Sequence, residues 1–289
     1  WGLRKIIPYP ARFTPLLRLG QFFRPLMPPS LKRSVPPRRT AAPWPTAAHA
    51  RKMLVLEGCV QPAVAPNINA AAARVLDRLG IRLIAANGAG CCGAASHHTS
   101  GIEQGLNFAR RNIDAWWPHV ESGAEAVVMT ASGCGVHVKD YGHLLKDDPV
   151  YAAKARRISE LTRDISEILV KEDLSVLKAG VKPGLKVAFH SPCSLQHGQK
   201  LNGVVEKILR GIGFTLVTVP DAHLCCGSAG TYSILQKDLS QRLRKNKVAA
   251  LESGGPGVIV TANIGCLEHL RGGGALPVRH WVELLAAAV

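Results

Sequence analysis

The sequence predicts an α/β protein built from two tandem duplicated domains with parallel sheets, preceded by a Pro-rich basic arm. Three observations carry this. All eight cysteines fall on a repeated ruler, short apolar runs alternate with helical patterns in each half, and charge is segregated at one end.

The ruler comes first. Cys59, the run Cys91-Cys92-Gly93 and Cys134 form one set. Cys193, the run Cys225-Cys226-Gly227 and Cys266 form the other. The interval from the single cysteine to the pair is identical in both sets, and the interval from the pair to the last cysteine is nearly so. No cysteine is left over. A repeat of this kind points to two duplicated sites. Thr130-Ala131-Ser132-Gly133-Cys134 echoes Thr261-Ala262-Asn263-Ile264-Gly265-Cys266.

The apolar runs give the elements. Strands are expected at Met53–Leu56, Ile81–Ile84, Ala126–Thr130, Lys186–Phe189, Thr215–Thr218 and Val258–Thr261. Helical patterns fall between them at about Asn69–Leu79, Ile102–Trp117, Val204–Leu209 and Leu235–Leu251. The resulting division is an arm over 1–50, a first cysteine-rich domain over 51–149, a helical connector over 150–180 and a second cysteine-rich domain over 181–289. Each cysteine then follows the C-terminal end of a strand, the edge of a parallel sheet where loops converge on ligands.

Charge separates the arm from the rest. The chain carries a net charge of +16, yet residues 1–52 hold eleven Lys/Arg and no Asp or Glu. Ten prolines between Pro8 and Pro45 argue against long regular structure there. A short amphipathic helix around Pro15–Phe23 would pack on the body or on another subunit. The arm is also a candidate for anionic lipid or an acidic partner, or is simply a solvated linker. Nucleic acid is not an expected partner of the arm. No apolar run reaches the length of a membrane-spanning helix. The expected location is cytoplasmic, with peripheral contact at the inner membrane as a further option.

At 289 residues with 47% hydrophobic content, a core forms without disulfide staples. Metal or cluster ligation is therefore the first reading of the thiols, beside disulfides and inert buried cysteines. Thiolates hold an iron–sulfur cluster or a closed zinc site, and their softness excludes calcium and magnesium. His137 and His269 each stand three residues past the last cysteine of a set and are candidate additional ligands. His97, His98, His190 and His223 read as supporting or surface residues. No dinucleotide fingerprint, Walker lysine or nucleophile elbow is present, and no catalytic residue is assigned.

The ruler resembles the CCG cysteine-rich domain, found in pairs in subunits of heterodisulfide reductases, lactate-utilisation proteins and anaerobic glycerol-phosphate dehydrogenases. Longer phrases resemble the iron–sulfur subunit of bacterial glycolate oxidase. They include Leu56-Glu57-Gly58-Cys59, Asn112-Ile113-Asp114-Ala115-Trp116-Trp117-Pro118, His223-Leu224-Cys225-Cys226-Gly227-Ser228-Ala229-Gly230-Thr231-Tyr232 and Val278-Arg279-His280-Trp281. This resemblance implies an electron-transfer subunit with iron–sulfur clusters on the eight cysteines. It implies partner subunits that carry FAD and oxidise glycolate to glyoxylate, and a quinone-level acceptor. The chain alone is expected to be inactive. Two departures stand out. The family's N-terminal ferredoxin-like part, with two sets of four cysteines, is missing, so the chain reads as truncated. His137 and His269 occupy the place of a fifth cysteine. The alternatives are a zinc-bearing scaffold that docks the flavin subunit, and a heterodisulfide-reductase-like protein.

Overall fold

A computed structural model describes residues 2–32, 34–181 and 184–287. Each half contributes one four-stranded sheet. The first contains β1 (Arg51–Val55), β2 (Ile81–Ala85), β3 (Val127–Met129) and β4 (Thr162–Asp164), in the order β2-β1-β3-β4. The second contains β5 (Lys186–His190), β6 (Thr215–Leu216), β7 (Val258–Thr261) and β8 (Val278–His280), in the order β6-β5-β7-β8. The two orders are the same, so the duplication in the cysteines extends to topology.

The strands run parallel, as their composition requires. β3 and β7 lie inside their sheets and are buried at every position, which demands unbroken apolar runs rather than alternation. Leu54 pairs with Val127 and Val55 with Val128. In the second sheet Val187 pairs with both Leu216 and Val258, and Ile259 pairs with Val278. Parallel neighbours need crossover connections, and helices supply them. In Val204–Ile212, Val205, Ile208, Leu209 and Ile212 are the buried stripe. That helix runs past Leu209, where its expected pattern stops. Ile212 completes the apolar face, and the helix closes at Gly213.

β4 and β8 fall outside the expected set. Their residues are mostly polar and form no apolar run, and each strand feeds a helix through a capping box. Ser166 N–H donates to Asp164 Oδ1 at 2.9 Å, and Asp164 N–H donates to Glu167 Oε2 at 2.8 Å. In the second half Val282 N–H donates to His280 Nδ1 at 3.3 Å, and His280 N–H donates to Glu283 Oε2 at 3.0 Å. These reciprocal bonds satisfy N–H groups that the first helical turn leaves open.

The arm is more regular than its prolines suggest. Pro10–Phe23 is one helix that begins with Pro10, whose missing N–H costs nothing at that position, and tolerates Pro15 inside. Side chains fasten the arm to the first half. Gln104 Nε2 donates to Tyr9 Oη at 2.9 Å, Arg39 donates to the Val64 carbonyl at 3.0 Å, and Trp44 Nε1 donates to the Leu83 carbonyl at 3.2 Å.

Two compact units are present. One comprises residues 1–70, 82–128 and 137–162, and the other residues 71–81, 129–136 and 163–289. Trp116, Ile113, Leu54 and Tyr141 are fully buried in the first, and Trp281, Val260, Leu267 and Leu195 in the second.

Candidate metal centres

All eight cysteines are free thiols, so the disulfide alternative has no support. Each follows the C-terminal end of a strand.

The second set gathers completely. Cys193 lies just beyond β5, Cys225-Cys226 in the loop after β6, and Cys266 in the first turn of the Ile264–Arg271 helix after β7. Four sulfurs form one hydrogen-bonded chain. Cys193 and Cys226 donate to Cys225, which lowers the Cys225 pKa; Cys226 also donates to Cys266 and lowers it. The donors are pushed up by the same contacts, aided by burial. Gly227 N–H donates to Cys225 Sγ at 3.3 Å and Asn263 Nδ2 to Cys266 Sγ at 3.6 Å. Such N–H···S contacts stabilise thiolate and tune a bound centre.

A buried imidazole, His190, stands among these thiols. His190 at the end of β5, Cys226 and Cys266 place their ligand atoms within 4.8 Å of one another. His190 is buried, its Nδ1 is 2.9 Å from Thr261 Oγ1, and its Nε2 has no hydrogen-bond partner among the described residues. Burial holds its pKa down at about 3, so the ring is neutral and able to ligate. His190 is thus buried and not at the surface, and it stands beside the thiols as a supporting residue or a ligand. A lone His after a strand carries no mark in sequence that separates it from a packed one. His269 instead places Nε2 3.4 Å from Ser240 Oγ and is half-buried. Lys247 is a further buried charge near these sulfurs; its Nζ donates to the Asp221 carbonyl at 2.8 Å. It lies on the Lys237–Glu252 helix, whose basic sequence reads as a solvated face.

In the first set Cys59, Cys91 and Cys92 come together. Cys59 and then Cys92 donate to Cys91, and with Gly93 N–H at 3.4 Å they hold its pKa down at about 3. Cys134 lies in the Ser132–Lys139 helix, half-buried, and falls in the second compact unit. His137 is buried beside the cysteine loop, and burial lowers its pKa to about 4.

Soft thiolates with a neutral imidazole fit an iron–sulfur cluster or zinc and do not fit a hard cation. Cys193, Cys225, Cys226 and Cys266 with His190 would hold such a group in the second half. Cys59, Cys91 and Cys92 would do so in the first.

Comparison with known proteins agrees with this geometry. The CCG cysteine-rich domain family matches residues 53–139 and 187–271. The glycolate oxidase iron-sulfur subunit of Escherichia coli (strain K12) is 54% identical over 289 residues, covering 100% of this chain and 70% of that protein. The chain belongs to the glycolate oxidase iron-sulfur subunit family. A probable member from Bacillus subtilis (strain 168) is 28% identical, with 82% of this chain and 55% of that protein covered. Lactate utilization protein A of Bacillus velezensis is 30% identical over 76% of this chain and 91% of that protein. Membership explains why both halves keep Cys-Cys-Gly after the second strand.

Proposed function

We propose that this chain is the electron-transfer iron–sulfur subunit of a glycolate oxidase. In this reading it accepts electrons from a flavin-containing subunit that oxidises glycolate to glyoxylate and passes them toward a quinone-level acceptor. The observation that carries it is the second cysteine set, four sulfurs in one hydrogen-bonded chain beside a neutral buried imidazole. The family relationship supports the same reading. An iron–sulfur centre supplies one-electron storage. The protein's part is to hold thiolates, donate N–H groups to them and keep water away.

Contact with partners or a membrane surface is proposed for the arm. Phe22 and Leu26 are 76% and 84% exposed, and the surrounding segment carries no acidic residue. No helix among the described residues is long and apolar enough to cross a membrane.

The test is anaerobic purification followed by iron, acid-labile sulfide and zinc analysis. Iron and sulfide in equal amounts, with visible absorbance bleached by dithionite, are expected. Cys226→Ser should remove the second-set portion. A colourless protein with zinc alone would replace the electron carrier with a scaffold.

A further inference from the structure

Beside the first cysteine loop stands a cluster that the cysteine ruler does not use. His97 ends the Ala94–His97 helix, His98 caps it, and His137 lies near the end of the Ser132–Lys139 helix. Their ring centres form a nearly equilateral triangle: 5.7 Å between His97 and His98, 5.5 Å between His97 and His137, and 5.7 Å between His98 and His137. The ring planes are mutually steep, at 82°, 62° and 66°.

Two of the ring nitrogens lack a partner among the described residues. His137 is 5% exposed, and its Nε2 is buried without a hydrogen bond; His97 Nδ1 is buried and unpartnered as well. Leaving a buried polar atom unsatisfied is costly, so two in adjacent rings require an explanation. The nearby Tyr141 ring does not provide one. Its centre is 5.8 Å from that of His137, but its hydroxyl donates to the Cys92 carbonyl and accepts from Asn112.

A metal ion satisfies both nitrogens at once. Three imidazoles on one tetrahedral zinc, with Zn–N bonds of about 2 Å, set their ring centres about 5 Å apart. The observed triangle is slightly wider, and the nitrogens do not yet converge. Binding therefore requires the rings to turn toward one another. His98 is exposed, so an ion has an entry path and keeps one position open to solvent. The second half provides an internal contrast. Thr231 and Tyr232 occupy the places of His97 and His98 after Cys-Cys-Gly, which leaves only His269 of the three.

We propose that His97, His98 and His137 form a three-imidazole site for a divalent ion of the zinc class, additional to the cysteine sets. The site does not depend on the electron-transfer reading, since its ligands are nitrogens and its ion need not be redox-active.

Cobalt(II) alone, added to the anaerobically purified full chain, tests this. The wild type should bind one more cobalt than His98→Asn or His97→Asn, whose affinity for it should fall about tenfold or more. The added cobalt should show ligand-field bands without a sulfur-to-cobalt charge-transfer band. Iron and sulfide, measured on the same samples, should be equal in wild type and variants, and that measurement reports separately on the cluster reading. Because His98 is exposed, His98→Asn leaves the fold intact even if a His137 variant does not. Equal cobalt uptake by wild type and both variants would overturn the proposal. So would a thiolate-type spectrum that persists in His98→Asn and vanishes in Cys91→Ser.

Discussion

Asn112 shows how one side chain positions two sulfurs. It is fully buried on the Ile102–Glu121 helix, where a polar residue is costly unless every group is satisfied. Its Oδ1 accepts from Gly90 N–H at 2.9 Å, and its Nδ2 donates to the Cys91 carbonyl at 2.9 Å and to Tyr141 Oη at 3.1 Å. Tyr141 in turn donates to the Cys92 carbonyl at 2.6 Å. The Cys91-Cys92 backbone is thus pinned on both carbonyls. Asn112→Ala would strand the buried Gly90 N–H and free the loop. The expected loss is about 2–3 kcal/mol in urea unfolding, with weaker metal retention by the first set. Tyr141→Phe removes the hydroxyl's two bonds but leaves the Gly90 N–H paired, and should cost less. Equal stability of Asn112→Ala and wild type would refute the role. Asn112 carries no mark in the sequence. It sits among helical residues, and only the fold reveals that the cysteine loop passes over it.

At the scale of elements, the glycine after each cysteine pair fixes how closely a helix approaches the loop. Gly93 and Gly227 adopt φ of 97° and 88°, a region that L side chains rarely enter. A Cβ at Gly93 would lie 2.6 Å from the Gly105 carbonyl oxygen, and one at Gly227 would lie 2.5 Å from that of Ser240. Both conditions recur in both halves, so the third letter of Cys-Cys-Gly is a packing requirement. The same turn aims the glycine N–H at the first sulfur of its pair. Gly227→Ala must therefore push the Lys237–Glu252 helix outward. It should cost more than about 2 kcal/mol and lower metal content in the second set, read by thermal unfolding and metal analysis. Wild-type stability and metal content in that variant would exclude the explanation. The longer elements are legible because buried parallel strands need unbroken runs such as Val258–Thr261. β4 (Thr162–Asp164) and β8 (Val278–His280) are not, because their residues are mostly polar and form no apolar run. Their real signal is the capping pattern at Asp164-Ile165-Ser166-Glu167 and His280-Trp281-Val282-Glu283, which repeats between halves.

Across the whole molecule, the repeated ruler foretells two sheets of one topology, and every cysteine is found where it is expected, after the C-terminal end of a strand. The ruler cannot rank the histidines, because imidazoles that pack, cap and ligate look alike in sequence. His280 is the one that caps, and it makes global stability depend on pH. Its Nε2–H donates to the Thr130 carbonyl at 2.8 Å while Nδ1 accepts from Val282 N–H, which leaves no acceptor for a second proton. Burial lowers its pKa from the ordinary 6.5 to about 4. The unfolded chain therefore binds the proton more readily between those values. The stabilisation is complete above about pH 6.5 and is lost as pH falls toward about 4, by about 1.4 kcal/mol per pH unit inside that window. Other titrating groups contribute too, so the measurement is a difference. In urea unfolding at pH 7, 6 and 5, the stability advantage of wild type over His280→Gln should shrink as pH falls. An advantage that stays constant from pH 7 to 5 would mean that the buried ring takes its proton without breaking the cap.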